Sequence, residues 1–200
     1  MGISGFGMTM RSEIRIDFSF SANPVYLGFE YPVSKRCVDT QYGLFANVAI
    51  NEGELLFRIE GERTSYPTRY SVQIDENVHI DIGAGCLPDE FIKKYPWRFM
   101  NHSCEPNTVI YGQEVFAKRS ILPLEEVTYN YNTTEYEMAE PFICRCPSSG
   151  CLRLIRGFKY LSVPERELLR PWLAPHILRI WESEFLFMNS SISSASDETH

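Results

Sequence analysis

Arg98-Phe99-Met100-Asn101-His102-Ser103-Cys104-Glu105-Pro106-Asn107 is the most chemically specific run in this sequence. A lone histidine in a loop is usually structural, so His102 gains weight only from its neighbours. Downstream, Glu125-Glu126-Val127-Thr128-Tyr129-Asn130-Tyr131 carries two tyrosines two positions apart, the spacing of one strand face. Taken alone, that pair reads as same-face core. Cys144-Arg145-Cys146 and Cys151 then bring three thiols into eight positions, and spacing this close favours a metal over a disulfide. Four thiolates close a tetrahedral zinc site whereas three leave a position open. Free, reduced cysteines in a loop are the alternative. Cys37 and Cys86 lack metal spacing and read as buried thiols.

The whole chain of 200 residues, 44% hydrophobic and 22% charged, has the balance of one globular domain able to bury a core. Met1 to Met10 lack a basic start and an unbroken apolar stretch, and no segment approaches the roughly 18 apolar residues of a membrane span. These features predict an intracellular protein, cytoplasmic or nuclear, with no membrane association; no basic cluster suggests a nuclear signal. A net charge of -7 argues against direct nucleic-acid binding and suits a basic peptide. Monomer and dimer both remain open.

Alternating Ile14, Ile16, Phe18 and Phe20 predict a strand over Glu13 to Phe20. Leu55 to Ile59, Arg69 to Ile74 and Val78 to Ile82 read as strands, the last two joined by a turn at Asp75-Glu76-Asn77. Further short strands are expected near Val115 and Val127. A short helix is expected from Pro88 to Lys94, ended by Pro96. Ser162, Pro164 and Glu165 form a helix start. The apolar residues from Leu168 to Leu186 then fall roughly on one helical face, in two pieces separated by Pro171 and Pro175. That face reads as cover for the chain's own core. From Asn189 the Ser-rich sequence offers nothing to bury and predicts a disordered tail.

The three motif stretches resemble, in order, the R-F-x-N-H-S-C-x-P-N, E-E-L-T-F/Y-D-Y and post-SET C-x-C-x4-C patterns of SET-domain methyltransferases. Weaker similarity runs through Tyr42-Gly43-Leu44-Phe45-Ala46 and Glu52-Gly53-Glu54, so the resemblance covers about Tyr42 to Gly157. It implies a mainly β fold of the SET, β-clip-like type, with several small sheets, a pseudoknot and added C-terminal helices. The implied division is an N-terminal strand extension at 1–30, a SET domain at 31–135, a post-SET zinc segment at 136–160, C-terminal helices at 161–188 and the tail at 189–200.

By the same resemblance, Cys104 joins Cys144, Cys146 and Cys151 around zinc. S-adenosylmethionine is held by Tyr42, Gly43, Leu44, Arg98, Phe99, Asn101 and His102. Tyr131 is the catalytic tyrosine, and Tyr129 limits how many methyl groups the pocket admits. The implied activity is protein-lysine N-methylation, giving mono- or dimethyl-lysine on a lysine-bearing protein or peptide such as a histone tail. The chemistry demands a neutral amine, although an unperturbed lysine has a pKa near 10.4. A narrow aromatic channel beside a sulfonium lowers it through desolvation and like-charge repulsion.

Five sites depart from the family pattern. Gln41 replaces the first glycine of G-x-G, Ile59 stands where a channel tyrosine is expected, Asn130 replaces aspartate, Leu124 replaces glycine, and Tyr95-Pro96-Trp97 replaces the segment before R-F. Tyr66, Tyr70 or Tyr95 could rebuild the aromatic wall. Two alternatives therefore accompany lysine methylation: an enzyme of the same fold acting on a small molecule, and a catalytically silent binding module.

Overall fold

The computed structural model describes residues 31–38, 41–83 and 91–196, with only the backbone path for 91, 92 and 188–196. The strand expected over Glu13 to Phe20, and Cys86, lie outside the described residues.

The architecture is a set of small sheets followed by helices. Strands β1 (Val33–Val38) and β2 (Gln41–Ala46) form an antiparallel hairpin. Strand β3 (Leu55–Arg58) pairs with β9 (Glu114–Ala117), which also pairs with β8 (Thr108–Tyr111). Strand β6 (Val78–Asp81) lies between β4 (Glu62–Thr64) and β5 (Val72–Asp75). Two further pairs are β7 (Asn101–His102) parallel to β10 (Thr128–Tyr129), and β11 (Phe142–Ile143) antiparallel to β12 (Leu154–Ile155). The expected strands at 55–59 and 78–82 form, and Asp75-Glu76-Asn77 turns β5 into β6. The strand expected from Arg69 starts later, at Val72, because the Thr68 hydroxyl accepts the N–H groups of Tyr70 and Ser71 and holds a turn there.

A bulge between Leu55 and Phe57 breaks the alternation of β3, so Leu56 and Phe57 both enter the core. They meet Leu44, Ile50, Ile59, Ile80, Ile110, Val115, Ile121 and Val127, with Trp97 and Tyr129 at one end. Each such side chain contributes about 1.5–3 kcal/mol on full burial. Cys37, opposite Tyr42 near the C-terminal end of β1, is exposed rather than buried as its lack of metal spacing suggested.

The helical half opens with α1 (Phe91–Lys94), followed by a 3-10 turn at Pro96–Phe99, and resumes with α2 (Val163–Leu169). The Ser162 and Glu165 side chains form a capping box at the start of α2. A 3-10 turn at Arg170–Trp172 leads to α3 (Pro175–Ser196), so the two prolines divide the helices as expected. Helix α3 continues seven residues beyond Asn189, the start of the predicted tail, because extending a nucleated helix costs far less than starting one. The apolar face is narrower than its periodicity suggests. Leu173, Ala174 and Ile177 are buried with Phe158, whereas Leu168, Phe185 and Leu186 are exposed.

Helix α3 backs the segment that follows Tyr131. Ala174 N donates to Thr133 O at 2.9 Å, and the His176 ring Nε2 donates to Thr134 O at 2.7 Å. Gly157 closes this junction from the other side, with φ +108° and its N–H donating to Asn132 Oδ1 at 3.1 Å. A Cβ at Gly157 would lie 2.7 Å from Tyr136 O and 2.9 Å from Glu137 Cα. Gly157→Ala combines a disfavoured φ with a backbone clash and is expected to cost about 2–4 kcal/mol, measured as a lower urea midpoint.

Candidate active site

The parallel pairing of β7 with β10 carries the two motif stretches side by side. Ser103 N donates to Tyr129 O at 3.1 Å, and Tyr131 N donates to His102 Nδ1 at 3.1 Å. The Tyr131 hydroxyl donates to Met100 O at 2.8 Å, which fixes the phenol against the other motif. Its ring lies 4.6 Å from the Tyr129 ring, 5.2 Å from His102 and 5.9 Å from Phe142.

These tyrosines belong to a pocket whose wall also includes Tyr70, Trp97, Arg98 and Glu135. Ile59, at the position where a channel tyrosine was expected, is fully buried in the core. Of the three tyrosines considered as replacements, Tyr70 reaches the pocket wall, Tyr66 is exposed, and Tyr95 is buried against Trp97. Trp97 donates its indole N–H to Glu60 O at 3.0 Å, so the changed Tyr95-Pro96-Trp97 segment presents an anchored ring to the pocket. Arg98 stacks its guanidinium 3.4 Å from the Tyr70 ring centre, on the pocket side.

Burial raises both phenol pKa values. For Tyr129 it is assisted by the charges of Tyr131 and Glu135, and for Tyr131 by Glu135 and Glu126. Both tyrosines are therefore neutral hydroxyl groups at physiological pH. Burial also pushes the Glu135 carboxyl up to about 7, although the Gln73 N–H and the Thr134 hydroxyl both donate to its Oε1. Glu135 and Phe142 are site residues that the sequence reading missed.

The stretch assigned to cofactor contact is largely occupied by internal bonds. Asn101 Nδ2 donates to Tyr42 O at 3.0 Å and Glu126 Oε1 at 2.7 Å. With Nδ1 accepting from Tyr131 N, the His102 ring carries its proton on Nε2, which faces Cys104 Sγ at 3.3 Å. Burial lowers its pKa to about 4. Its ring thus bridges Cys104 to Tyr131. Leu44 is fully buried, so its side chain is core. A Cβ on Gly43 would lie 2.6 Å from Glu126 Oε1, so the close approach that glycine permits here is made by the chain's own carboxylate. Tyr42 remains exposed beside Phe99, and Lys35 Nζ sits 4.6 Å and 5.0 Å from their ring centres.

Cys104, Cys144, Cys146 and Cys151 converge, with all four sulfurs within 4.8 Å of one another. A tetrahedral zinc thiolate site has sulfurs about 3.8 Å apart, so the four fit one ion after slight contraction. Burial raises Cys104 and takes Cys144 up to about 11. At Cys146 burial is outweighed by N–H groups of Cys104 and Ser148 and by the neighbouring thiols, leaving it near 7. Cys104 and Cys144 therefore hold their protons unless a cation compensates the charge.

Residues 41–132 match the family model of the SET domain. That match covers a little under half of the chain, and several of the proteins similar to it are named as methyltransferases. Over 145 residues it is 30% identical to the variant-silencing SET domain-containing protein of Plasmodium falciparum, covering 59% of this chain and 5% of that one. Over 131 residues it is 32% identical to a histone-lysine N-methyltransferase, H3 lysine-36 specific, of Coccidioides immitis, covering 58% and 13%. It is 35% identical over 83 residues to methyltransferase flvH of Aspergillus flavus, covering 40% and 46%. The chain thus spans less than half the length of each. Among solved structures, the methyltransferase domain of human histone-lysine N-methyltransferase SETMAR aligns with a TM-score of 0.48 and 18% identity, covering 65% and 60%.

Proposed function

We propose that this chain is an S-adenosylmethionine-dependent protein-lysine N-methyltransferase, with Tyr131 as its catalytic tyrosine. The observation that carries this reading is the Tyr131 hydroxyl, tied to Met100 O in a pocket shared with Tyr129, Tyr70 and Trp97. Aromatic walls disfavour a charged ammonium and favour the neutral amine that methyl transfer requires. The residues present also suit the donor. Tyr42 and Phe99 offer aromatic faces, Lys35 offers a cation for a carboxylate, and Tyr131 and Met100 supply oxygens. When bound, S-adenosylmethionine supplies a methyl group on a positive sulfur. Tyr131 and Met100 orient the approach, and the surrounding rings exclude water.

Zinc fits the four sulfurs and would tie the segment after Pro141 to Cys104. Through His102 that tie reaches Tyr131, so the metal would hold the active-site loop from behind. Methyl-group number follows from Tyr129, whose hydroxyl takes space beside the amine, and mono- or dimethyl-lysine is the expected product. Tyr129→Phe is then expected to shift the product towards higher methylation, read by mass spectrometry of the modified peptide. Histone tails are the substrate class favoured by the histone-specific relatives.

Incubation of the purified chain with labelled donor and recombinant core histones tests the reading, with label expected on histone lysines. No label on any protein, in the presence of bound donor, would refute it. The buried Ile59 in place of a channel tyrosine favours a second reading, methylation of a small aliphatic amine. Label on free lysine or an alkyl diamine, but on no protein, would select it.

A further inference from the structure

Glu135 carries a carboxyl group in an expensive place. Its side chain is buried, its Oε1 accepts from a backbone N–H 62 positions away and from the Thr134 hydroxyl, and both donors are neutral. Arg98, the cation on the same pocket wall, is stacked on Tyr70 and makes no ion pair with Glu135 among the described residues. An acceptor needed only for Gln73 N and Thr134 could be a neutral glutamine, without the cost of burying a charge. The position therefore favours a group that can ionise, on a pocket wall where no cation is paired with it among the described residues.

We propose that Glu135 accepts the proton a substrate ammonium must lose before methyl transfer, and that its charge selects cationic aliphatic amines for this pocket. The inference rests on the methyltransferase reading above. In the step, an ammonium N–H proton passes to a Glu135 carboxylate oxygen, leaving a neutral carboxylic acid and a free nitrogen lone pair. That pair forms the N–C bond as the C–S bond of the sulfonium breaks and its electrons return to sulfur, giving a thioether and a methylated ammonium. The Glu135 proton leaves to solvent through the pocket mouth before the next cycle.

The surroundings make Glu135 the group that titrates for this purpose. Tyr129 and Tyr131 face it from β10 and the turn that follows, and both stay protonated. Tyr70, Arg69 and exposed Glu140 stand on the rest of the wall, with the Arg98 guanidinium. Behind it, His79 on β6 and His176 on α3 both have pKa values lowered by burial and are neutral at pH 7 and above. A base whose pKa lies near the working pH is the most efficient kind.

Glu135→Gln keeps the Oε1 acceptor and removes the base. With S-adenosylmethionine and recombinant core histones, wild-type kcat/KM is expected to rise through pH 7 and then level. The variant should be slower by about 100-fold at pH 8, and should keep rising tenfold per pH unit so that the gap narrows towards pH 10. Donor binding by calorimetry should be unchanged, and the Tm at pH 8 should rise by about 2–4 °C, because a neutral amide is cheaper to bury. In 13C NMR of glutamate-labelled protein, one carboxyl should titrate near 7 and be missing from the variant. A loss of rate that is constant with pH, or no carboxyl titrating near 7, overturns the inference. If Glu135→Gln does not fold, Glu135→Asp decides it: a retained pH break supports the base, and its loss opposes it. Wild-type protein that methylates neither histones nor free aliphatic amines refutes the underlying reading, before any variant is made, and this inference with it. An active wild type beside a variant of unchanged pH profile overturns this inference alone.

Discussion

Tyr131→Phe is expected to lower methyl transfer by about 100- to 1000-fold while leaving donor binding within about twofold. The substitution removes one oxygen and keeps the ring, so the packing on Tyr129 and His102 survives. The bond to Met100 O is lost, which costs about 1 kcal/mol of stability, too little to unfold a domain. The effect should therefore appear in kcat, because the hydroxyl orients the amine and the transferring methyl rather than holding either ligand. Single-turnover transfer beside calorimetric donor binding separates the two quantities. A rate within about threefold of wild type would remove Tyr131 from the chemistry.

Removal of the proposed metal is expected to have the second large effect. The four sulfurs come from two places far apart in sequence, Cys104 and residues 144–151, and residues 141–155 have only the short β11–β12 pair of their own. Cys146→Ser, or treatment with a strong chelator, should release one zinc per chain, measured by plasma mass spectrometry. It should also raise hydrogen exchange over 142–155 and lower stability by on the order of several kcal/mol. Turnover should fall as well, since Leu152 N donates to Cys104 Sγ and His102 links that sulfur to Tyr131. The pH dependence has a definite sign. The metal binds thiolates, and burial keeps the protons on Cys104 and Cys144. Rebinding should therefore release protons into weakly buffered solution, and affinity should weaken as pH falls. Zinc-free protein with unchanged exchange over 142–155 would contradict this.

Local signals carried the parts of the fold that depend on local chemistry. Alternation gave the strands around Leu56 and Ile80, and the Ser162 and Glu165 pair gave the start of α2, because caps and pleats are settled within a few residues. The three motif stretches likewise pointed to the residues that converge. What stayed hidden depends on contacts distant in sequence. Glu135 accepts from the distant Gln73 N–H, and no feature of Thr133-Thr134-Glu135 marks it. The rings of Tyr70 and Trp97 reach one pocket only because the turn before β5 and the Pro96 turn meet there. Periodicity also overstates α3, since it reports which residues share a face and not how far the neighbouring surface extends. The internal bonds of His102 and Asn101 were invisible for the same reason. Their side chains bind other parts of the chain, which motif position does not reveal.

A crystal structure of the chain with S-adenosylhomocysteine and a lysine peptide would test the central claim most directly. The thioether sulfur and the lysine nitrogen should meet beside the Tyr131 hydroxyl, with the lysine stem between Tyr129 and Tyr70 and its nitrogen within reach of Glu135. A pocket that stays closed to both molecules, or a sulfur bound away from Tyr131, would contradict it.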